Sequence, residues 1–516
     1  MTRVRAHLIA SDAEAELYRD EIRAYLAENG WEAGLRFGGL SALSVPGADC
    51  GAEDVFLLLS IYDLDAVRTL YSRGVMNVHC PAAPSVWLTG RDAERAKSLE
   101  ERCLRENDLA GLKRLNRIRM ILSYLNRETE MRSFPVQIQI ETTSRCNAEC
   151  IMCGHFIYKN EIARHMDPEL PEAMDPYLKY AETVILHGYG EPFLYPGMER
   201  MLEKYREYGL RVVTNTNLSV LSENVLRMMP ELFSEITVSI DGCTKEVYEG
   251  IRKGLSFETL VQNLERLREG APDVKKILAM VIMRQNLHQI PDMVRFAKRY
   301  GFGTVNFIAL GSSPYAGNEA DEVWNYPNVL RRQLKEAAGE ARALGVELEM
   351  PLPAGTLESP VSESDLAREW EKIREKRFFP YGDEQRAMYE RHVAPRLNEL
   401  EAAGIRDHYS RYTSSPLERE ALRPDGGRMC TGCCDSVLFR PYISLDGRVF
   451  ACCLHTKRYM GEIGEDGSFG SIWNNDLFRE MRSVFYGGKL PEYCRSCSFM
   501  DNDFLCLLKE DGGARA

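Results

Sequence analysis

From Phe134 onward, strand-like and helix-like runs alternate at regular intervals, and this alternation constrains the fold more than any other feature of the chain. The strand-like runs are Val136–Glu141, Thr183–His187, Leu210–Thr214, Glu235–Ile240, Lys276–Met283 and Thr304–Leu310. Between them lie Gly197–Tyr208, Glu223–Leu232, Phe257–Glu269 and Ile290–Tyr300, which carry apolar residues at helical spacing. Six βα units in a row predict an α/β fold with a parallel sheet or an open, partial (β/α)6 barrel over residues 134–352. Val346–Met350 is placed to extend the sheet. In such folds ligands bind at the C-terminal ends of the strands, on the βα loops.

The flanking regions read differently. Residues 1–105 alternate short strands (Arg3–Ile9, Val55–Tyr62, Val75–Cys80) with helices (Ala13–Asn29, Leu64–Arg73), as expected of a small N-terminal α/β domain. It has no phosphate-binding glycine loop and no metal-ligand spacing. Residues 106–133 are expected to be a helical connector, and the Arg, Glu, Lys and Leu of 92–131 suggest solvated helices. Residues 353–429 are charged, helical and interrupted by proline, the pattern of an insertion or lid.

The 516-residue chain has 65 Lys+Arg against 77 Asp+Glu, a net charge of −12 that argues against sequence-independent nucleic-acid binding. No apolar run approaches the roughly 18–20 residues needed to span a bilayer. Behind Arg3 and Arg5 there is no apolar signal segment, so a cytoplasmic location is expected. Fifteen cysteines are many for such a compartment, and eleven of them are grouped: three at 146, 150 and 153, and eight between 430 and 506. In a reducing compartment clustered cysteines read as metal ligands before disulfides.

The first group, Cys146-Asn-Ala-Glu-Cys150-Ile-Met-Cys153, directly follows the first barrel strand and so lies at the ligand-binding end. A [4Fe–4S] cluster takes four ligands, so three thiolates leave one iron open to a small molecule. Zinc with His155 as fourth ligand is the alternative. The tail carries Cys430-Thr-Gly-Cys433-Cys434, then a turn at Asp446-Gly447 followed by Cys452-Cys453, then Cys494-Arg-Ser-Cys497. The turn predicts a hairpin that brings Cys434 toward Cys452.

A C-x3-C-x2-C motif after the first strand of a six-unit βα barrel resembles the radical S-adenosylmethionine (radical SAM) superfamily. The resemblance implies a [4Fe–4S] cluster on Cys146, Cys150 and Cys153 whose open iron is chelated by SAM. Gly188-Tyr-Gly190-Glu191-Pro resembles the family's Gly-Gly-Glu element, which implies Gly190 and Glu191 at the SAM ammonium. Ser239-Ile-Asp241-Gly and Arg252 resemble the elements that meet the SAM carboxylate. Thr214, Asn215 and Asn217 are placed for the ribose. The tail, residues 430–516, resembles the SPASM or shorter twitch domain, which implies an auxiliary [4Fe–4S] cluster on Cys434, Cys452, Cys494 and Cys497. Cys433 and Cys453 are alternative ligands at their doublets, and the leftover Cys430, Cys433 and Cys506 leave room for a second auxiliary cluster. A structural zinc ribbon is the alternative for the whole tail.

The resemblance implies an enzyme that cleaves SAM reductively to a 5′-deoxyadenosyl radical and abstracts a substrate hydrogen, with a flavodoxin- or ferredoxin-type electron donor. The single-cluster pattern favours net oxidation of a small polar metabolite of sugar or aminocyclitol type, the auxiliary cluster accepting the second electron. Asp501 and Asp503 are candidates for the base that takes the proton. The alternative substrate is a side chain of a peptide or protein. A non-catalytic iron–sulfur electron carrier is the alternative of another class, and Glu191, Ser239 and Arg252 in barrel order argue against it. Residues 1–130 lack an Asp-x-His-x-x-Gly motif, so cobalamin is not expected.

Overall fold

The computed structural model describes residues 90–125, 127–153, 164–311, 321–352, 354–375, 434–453 and 458–487, with shorter pieces at 6–9, 36–37, 55–58, 78–79, 415–416, 424–429, 489–491 and 494. Its centre is a sheet of strands β1 (Gln137–Ile140), β2 (Thr183–Ile185), β3 (Arg211–Thr216), β4 (Phe233–Ser239), β5 (Lys275–Ile282), β6 (Thr304–Ala309) and β7 (Glu347–Glu349), neighbours in that order and all parallel. The expected strands fall on these elements with end shifts of a residue or two, and β7 extends the sheet as Val346–Met350 predicts.

Alternation along the strands divides the sheet into two faces. Ile138, Val184 and Val212 lie side by side by register and share one buried core with the helices. The neighbouring rows are polar: Asn215 pairs with Thr237, and Ser239 aligns with Ala279 and then Asn306. Parallel strands covered on both faces are apolar throughout, so the polar rows belong to a face that the helices leave uncovered. That is the interior of a partial barrel.

The covering helices are amphipathic. Met198–Glu207 buries Met198, Met201, Leu202 and Tyr205, a one-face spacing. Glu223–Leu232 and Phe257–Gly270 start at Ser222 and Ser256, whose hydroxyls accept from the Val225 and Thr259 amides and satisfy donors left open at a helix start.

The tail joins this sheet. Strand β8 (Tyr442–Ile443) pairs in parallel with β1, then turns through Asp446-Gly447 into antiparallel β9 (Arg448–Phe450), which pairs with β10 (Gly461–Glu462). Gly447 has φ 84°, a conformation that glycine adopts without strain, so the expected hairpin is present. Among the described residues the sheet therefore has ten strands, and β1 is an interior strand. Ile443, Val449, Phe469, Trp473 and Phe478 belong to the same core as Ile138 and Val184.

The connector departs from expectation. It forms two helices, Gly90–Glu106 and Leu109–Leu125, but the second is not solvated. Its Leu112, Leu115, Asn116 and Met120 are buried, and the Asn116 side-chain amide donates to the Phe134 and Tyr180 carbonyls. Lys113 donates to the Gly209 carbonyl at 2.7 Å. At the N-terminus, Arg36–Phe37, Ala6–Ile9, Val55–Leu58 and Val78–His79 form a parallel sheet in that spatial order. The helices expected at 13–29 and 64–73 lie outside the described residues. Within 353–429, helix Glu363–Glu375 packs on helix Pro327–Leu344, where Glu369 accepts from the Asn328 and Val329 amides at 2.9 Å.

Candidate active site

The loop that follows β1 carries Cys146, Cys150 and Cys153, and it is fastened from three sides. On the first, Glu149–Cys150 pairs antiparallel with Arg252–Lys253, and the Ile151 amide donates to the Ile251 carbonyl at 3.0 Å. On the second, the Glu191 amide donates to the Arg145 carbonyl at 2.8 Å. A Cβ on Gly190 would lie 2.4 Å from the Thr143 carbonyl oxygen and 2.5 Å from that of Arg145. Only glycine lets the two loops close, which gives Gly190 a physical reason independent of any ligand. On the third, the Asn217 side-chain amide lies 3.9 Å from Cys146 Sγ and donates to Asn147 at 3.2 Å.

The expected SAM contacts are brought to this mouth, though their side chains are engaged within the protein. Glu191 is buried, and its carboxylate accepts from the Thr216 hydroxyl (2.6 Å), the Asn217 amide (2.7 Å) and the Phe193 amide (3.2 Å). Burial pushes its carboxyl up to about 7, with the Thr216 bond opposing. In this structure it fastens the ends of β2 and β3 together instead of presenting both oxygens to a ligand.

Arg252 likewise ion-pairs with buried Asp241 at 2.7 Å and lies 3.7 Å from Cys150 Sγ, so its fork is turned toward the cysteine loop. Burial works against its charge, but the Asp241 carboxylate outweighs this and holds it firmly protonated. Ser239 stands half-buried on the polar face of β4. Of the residues expected at the ribose, Asn215 is exposed on the polar face, whereas Thr214 points into the core and donates to the Leu186 carbonyl at 2.6 Å. Alternation along β3 makes these two adjacent residues face opposite ways. Asn217 stands at Cys146.

Four further buried residues lie on the segments that follow the strands, and of them only Asp241 falls inside a motif, the Ser239-Ile-Asp241-Gly element. Glu141 is buried, accepts from the Tyr189 amide at 2.6 Å and from the Tyr442 hydroxyl at 2.8 Å, and so ties the Gly188–Glu191 loop to the tail hairpin. Asp241 holds Arg252 and accepts from the Val281 amide at 2.7 Å. Tyr248 and Gln285 are buried with their side-chain polar atoms unpartnered. A buried group without a partner leaves no trace in sequence, and no spacing rule finds it.

Burial pushes the Cys146 and Cys150 thiols up to about 11, so without metal they are protonated near neutrality and would have to lose protons to bind iron. Among the described residues, no group of three or more His, Cys, Asp and Glu side chains is gathered to hold a single metal ion. A cubane makes no such demand, since each thiolate binds a different iron. The donor set fits that group: three sulfurs on one loop, a guanidinium beside one of them, and an unpartnered phenol nearby.

In the tail, Cys434 starts the short helix Asp435–Phe439 and packs with Cys494 against the main core, while Cys452 and Cys453 follow β9. His155, Cys430, Cys433, Cys497, Asp501, Asp503 and Cys506 lie outside the described residues.

Residues 140–297 match the family model of the radical SAM superfamily, and residues 430–498 match that of an iron–sulfur cluster-binding domain, SPASM. Residues 140–297 therefore form a radical SAM domain and residues 430–498 a SPASM domain. As a radical SAM enzyme with a C-terminal SPASM domain the chain uses a [4Fe–4S] cluster, SAM and auxiliary iron–sulfur binding. The enzyme is 23% identical over 372 residues to the mycofactocin maturase MftC of Mycolicibacterium smegmatis, covering 71% of this chain and 76% of that protein. It is 28% identical over 153 residues to the Fe-coproporphyrin III synthase of Methanosarcina barkeri, 29% of this chain and 37% of that protein. Among solved structures, SuiB of Streptococcus suis bound to S-adenosylmethionine aligns with a TM-score of 0.46 at 14% identity, covering 82% of this chain and 84% of that one. No described helix is long and apolar enough to cross a membrane.

Proposed function

We propose that this radical SAM enzyme is a maturase that modifies a side chain of a precursor peptide by hydrogen-atom abstraction. The reach of the likeness to named maturases carries this reading. They match 71% of the chain, whereas the heme synthase and GTP cyclase relatives match 32–37% of it. Oxidation of a sugar or aminocyclitol gains no support from the relatives that span most of the chain.

When bound, the cluster and SAM supply the 5′-deoxyadenosyl radical that removes the hydrogen atom. The protein's own residues hold and shield this chemistry. Cys146, Cys150 and Cys153 hold the cluster, and the Asp241–Arg252 pair fixes the Cys150 side of the loop. Asn215 and Ser239 face the ligand from the polar rows. Gln285, in the turn after β5, offers a donor and an acceptor side by side, the complement of a peptide amide. Cys434, Cys452, Cys494 and Cys497 are proposed to hold an auxiliary cluster, and a flavodoxin- or ferredoxin-type protein to deliver the electron.

The test is anaerobic incubation of the reconstituted enzyme with SAM, dithionite and candidate precursor peptides. A change in peptide mass that tracks 5′-deoxyadenosine, and is abolished by Cys150→Ala, is expected. Turnover of a sugar or aminocyclitol, with the peptides unchanged, would sink the maturase reading.

A further inference from the structure

Among the described residues, the hydroxyl of Tyr248 is a telling unpartnered group. The residue lies on helix Lys245–Ile251, is 0% exposed, and its oxygen has no hydrogen-bond partner. Buried tyrosine hydroxyls usually find one, and leaving one unmade costs on the order of 1–3 kcal/mol. The ring has little freedom to search. Its amide donates to the Thr244 carbonyl at 2.9 Å, its ring meets the tilted Phe257 ring at 5.7 Å between centroids, and a Cβ on Gly242 would lie 2.5 Å from its backbone nitrogen.

What surrounds it identifies the missing partner. Tyr248 stands four residues before Arg252, on the same side of the turn. Arg252 pairs with Cys150 through the backbone and reaches its sulfur at 3.7 Å. The titratable groups that act on the phenol are Arg252, Cys150, Asp241 and Glu191. The hydroxyl is thus buried on the Cys150 side of the cysteine loop, where the protein alone provides no acceptor and a cluster would bring sulfur.

We propose that Tyr248 donates a hydrogen bond to a sulfur on the Cys150 side of the cluster and thereby raises its reduction potential. A donor at a cluster sulfur stabilises the more negative, reduced state. Tyr248 is a positioning and tuning residue: it makes no bond to iron and takes no part in hydrogen abstraction.

The test is Tyr248→Phe in the full-length, iron-reconstituted protein, followed by a redox titration without SAM, read by electron paramagnetic resonance. We expect the reduction equilibrium constant to fall about tenfold, which is about 59 mV for a one-electron couple, at unchanged iron and sulfide content. The apoprotein's melting temperature should not fall, because the lost hydroxyl had no partner there. Phe257→Leu, which disturbs the packing and removes no donor, should leave the potential where it was. An unchanged potential in Tyr248→Phe overturns the proposal. So does a weakened affinity for SAM with the potential unmoved, which would put the hydroxyl on the organic cofactor. A wild-type protein that holds no iron–sulfur cluster would instead count against the family assignment.

Discussion

Single side chains at the mouth of the barrel mostly hold other parts of the protein in place. Glu191 shows this best, since three donors from two loops converge on its carboxylate. Glu191→Gln keeps one acceptor oxygen and turns an NH2 group toward a donor, so we expect a loss of about 1–3 kcal/mol, measured by urea unfolding of the apoprotein. The pH dependence has a definite sign. Burial raises the carboxyl from 4.5 to about 7, so between those values the native state binds a proton that the unfolded state lacks. Stability from this group is therefore fullest below about 4.5 and is lost as pH rises toward about 7. The advantage of wild type over Glu191→Gln should narrow across that window, and an advantage that widens would reverse the assigned shift.

At the scale of elements, the junction between β1 and the tail hairpin matters most. The backbone pairs β8 with β1, and the Tyr442 hydroxyl reaches Glu141 from that pairing at 2.8 Å. Tyr442→Phe should cost about 1–3 kcal/mol, the price of a buried acceptor losing that donor, and should speed amide exchange in both strands. Helix Asp476–Tyr486 makes a second junction through Arg482, which is fully buried. Arg482 donates to the Thr129, Val437 and Trp473 carbonyls and lies 4.3 Å over the Trp473 ring. Burial lowers its pKa, yet a guanidinium stays charged near neutrality. Arg482→Leu strands these acceptors together and should loosen the connector from the tail. Limited proteolysis near residue 129 reads this directly, and a cleavage pattern identical to wild type would refute it.

At the scale of the whole molecule, barrel and tail share one core. Phe469, Trp473 and Phe478 lie in the same buried cluster as Val136 and Ile138. A zinc-ribbon tail would depend on its metal for order, whereas this one is docked by apolar contact and by sheet pairing. Removing iron with a chelator should therefore leave hydrogen exchange slow in β8, β9 and helix Asp476–Tyr486. Fast exchange there in the apoprotein would show that the metal, not the core, holds the tail.

Periodicity sufficed to read the strands and helices of the barrel, because the period of two and the period of 3.6 are local properties of the chain. Cysteine spacing likewise marks the loop of Cys146, Cys150 and Cys153, since three thiols so close in sequence need no distant partner to be noticed. Other features depend on residues far apart in sequence. That β8 lies against β1, that Thr214 turns inward while Asn215 stays exposed, and that Arg252 is spent on Asp241 and Cys150 follow from register and close packing. Tyr248 belongs to the same class, because an unmet hydroxyl exists only once the surrounding fold has closed over it and shut out water.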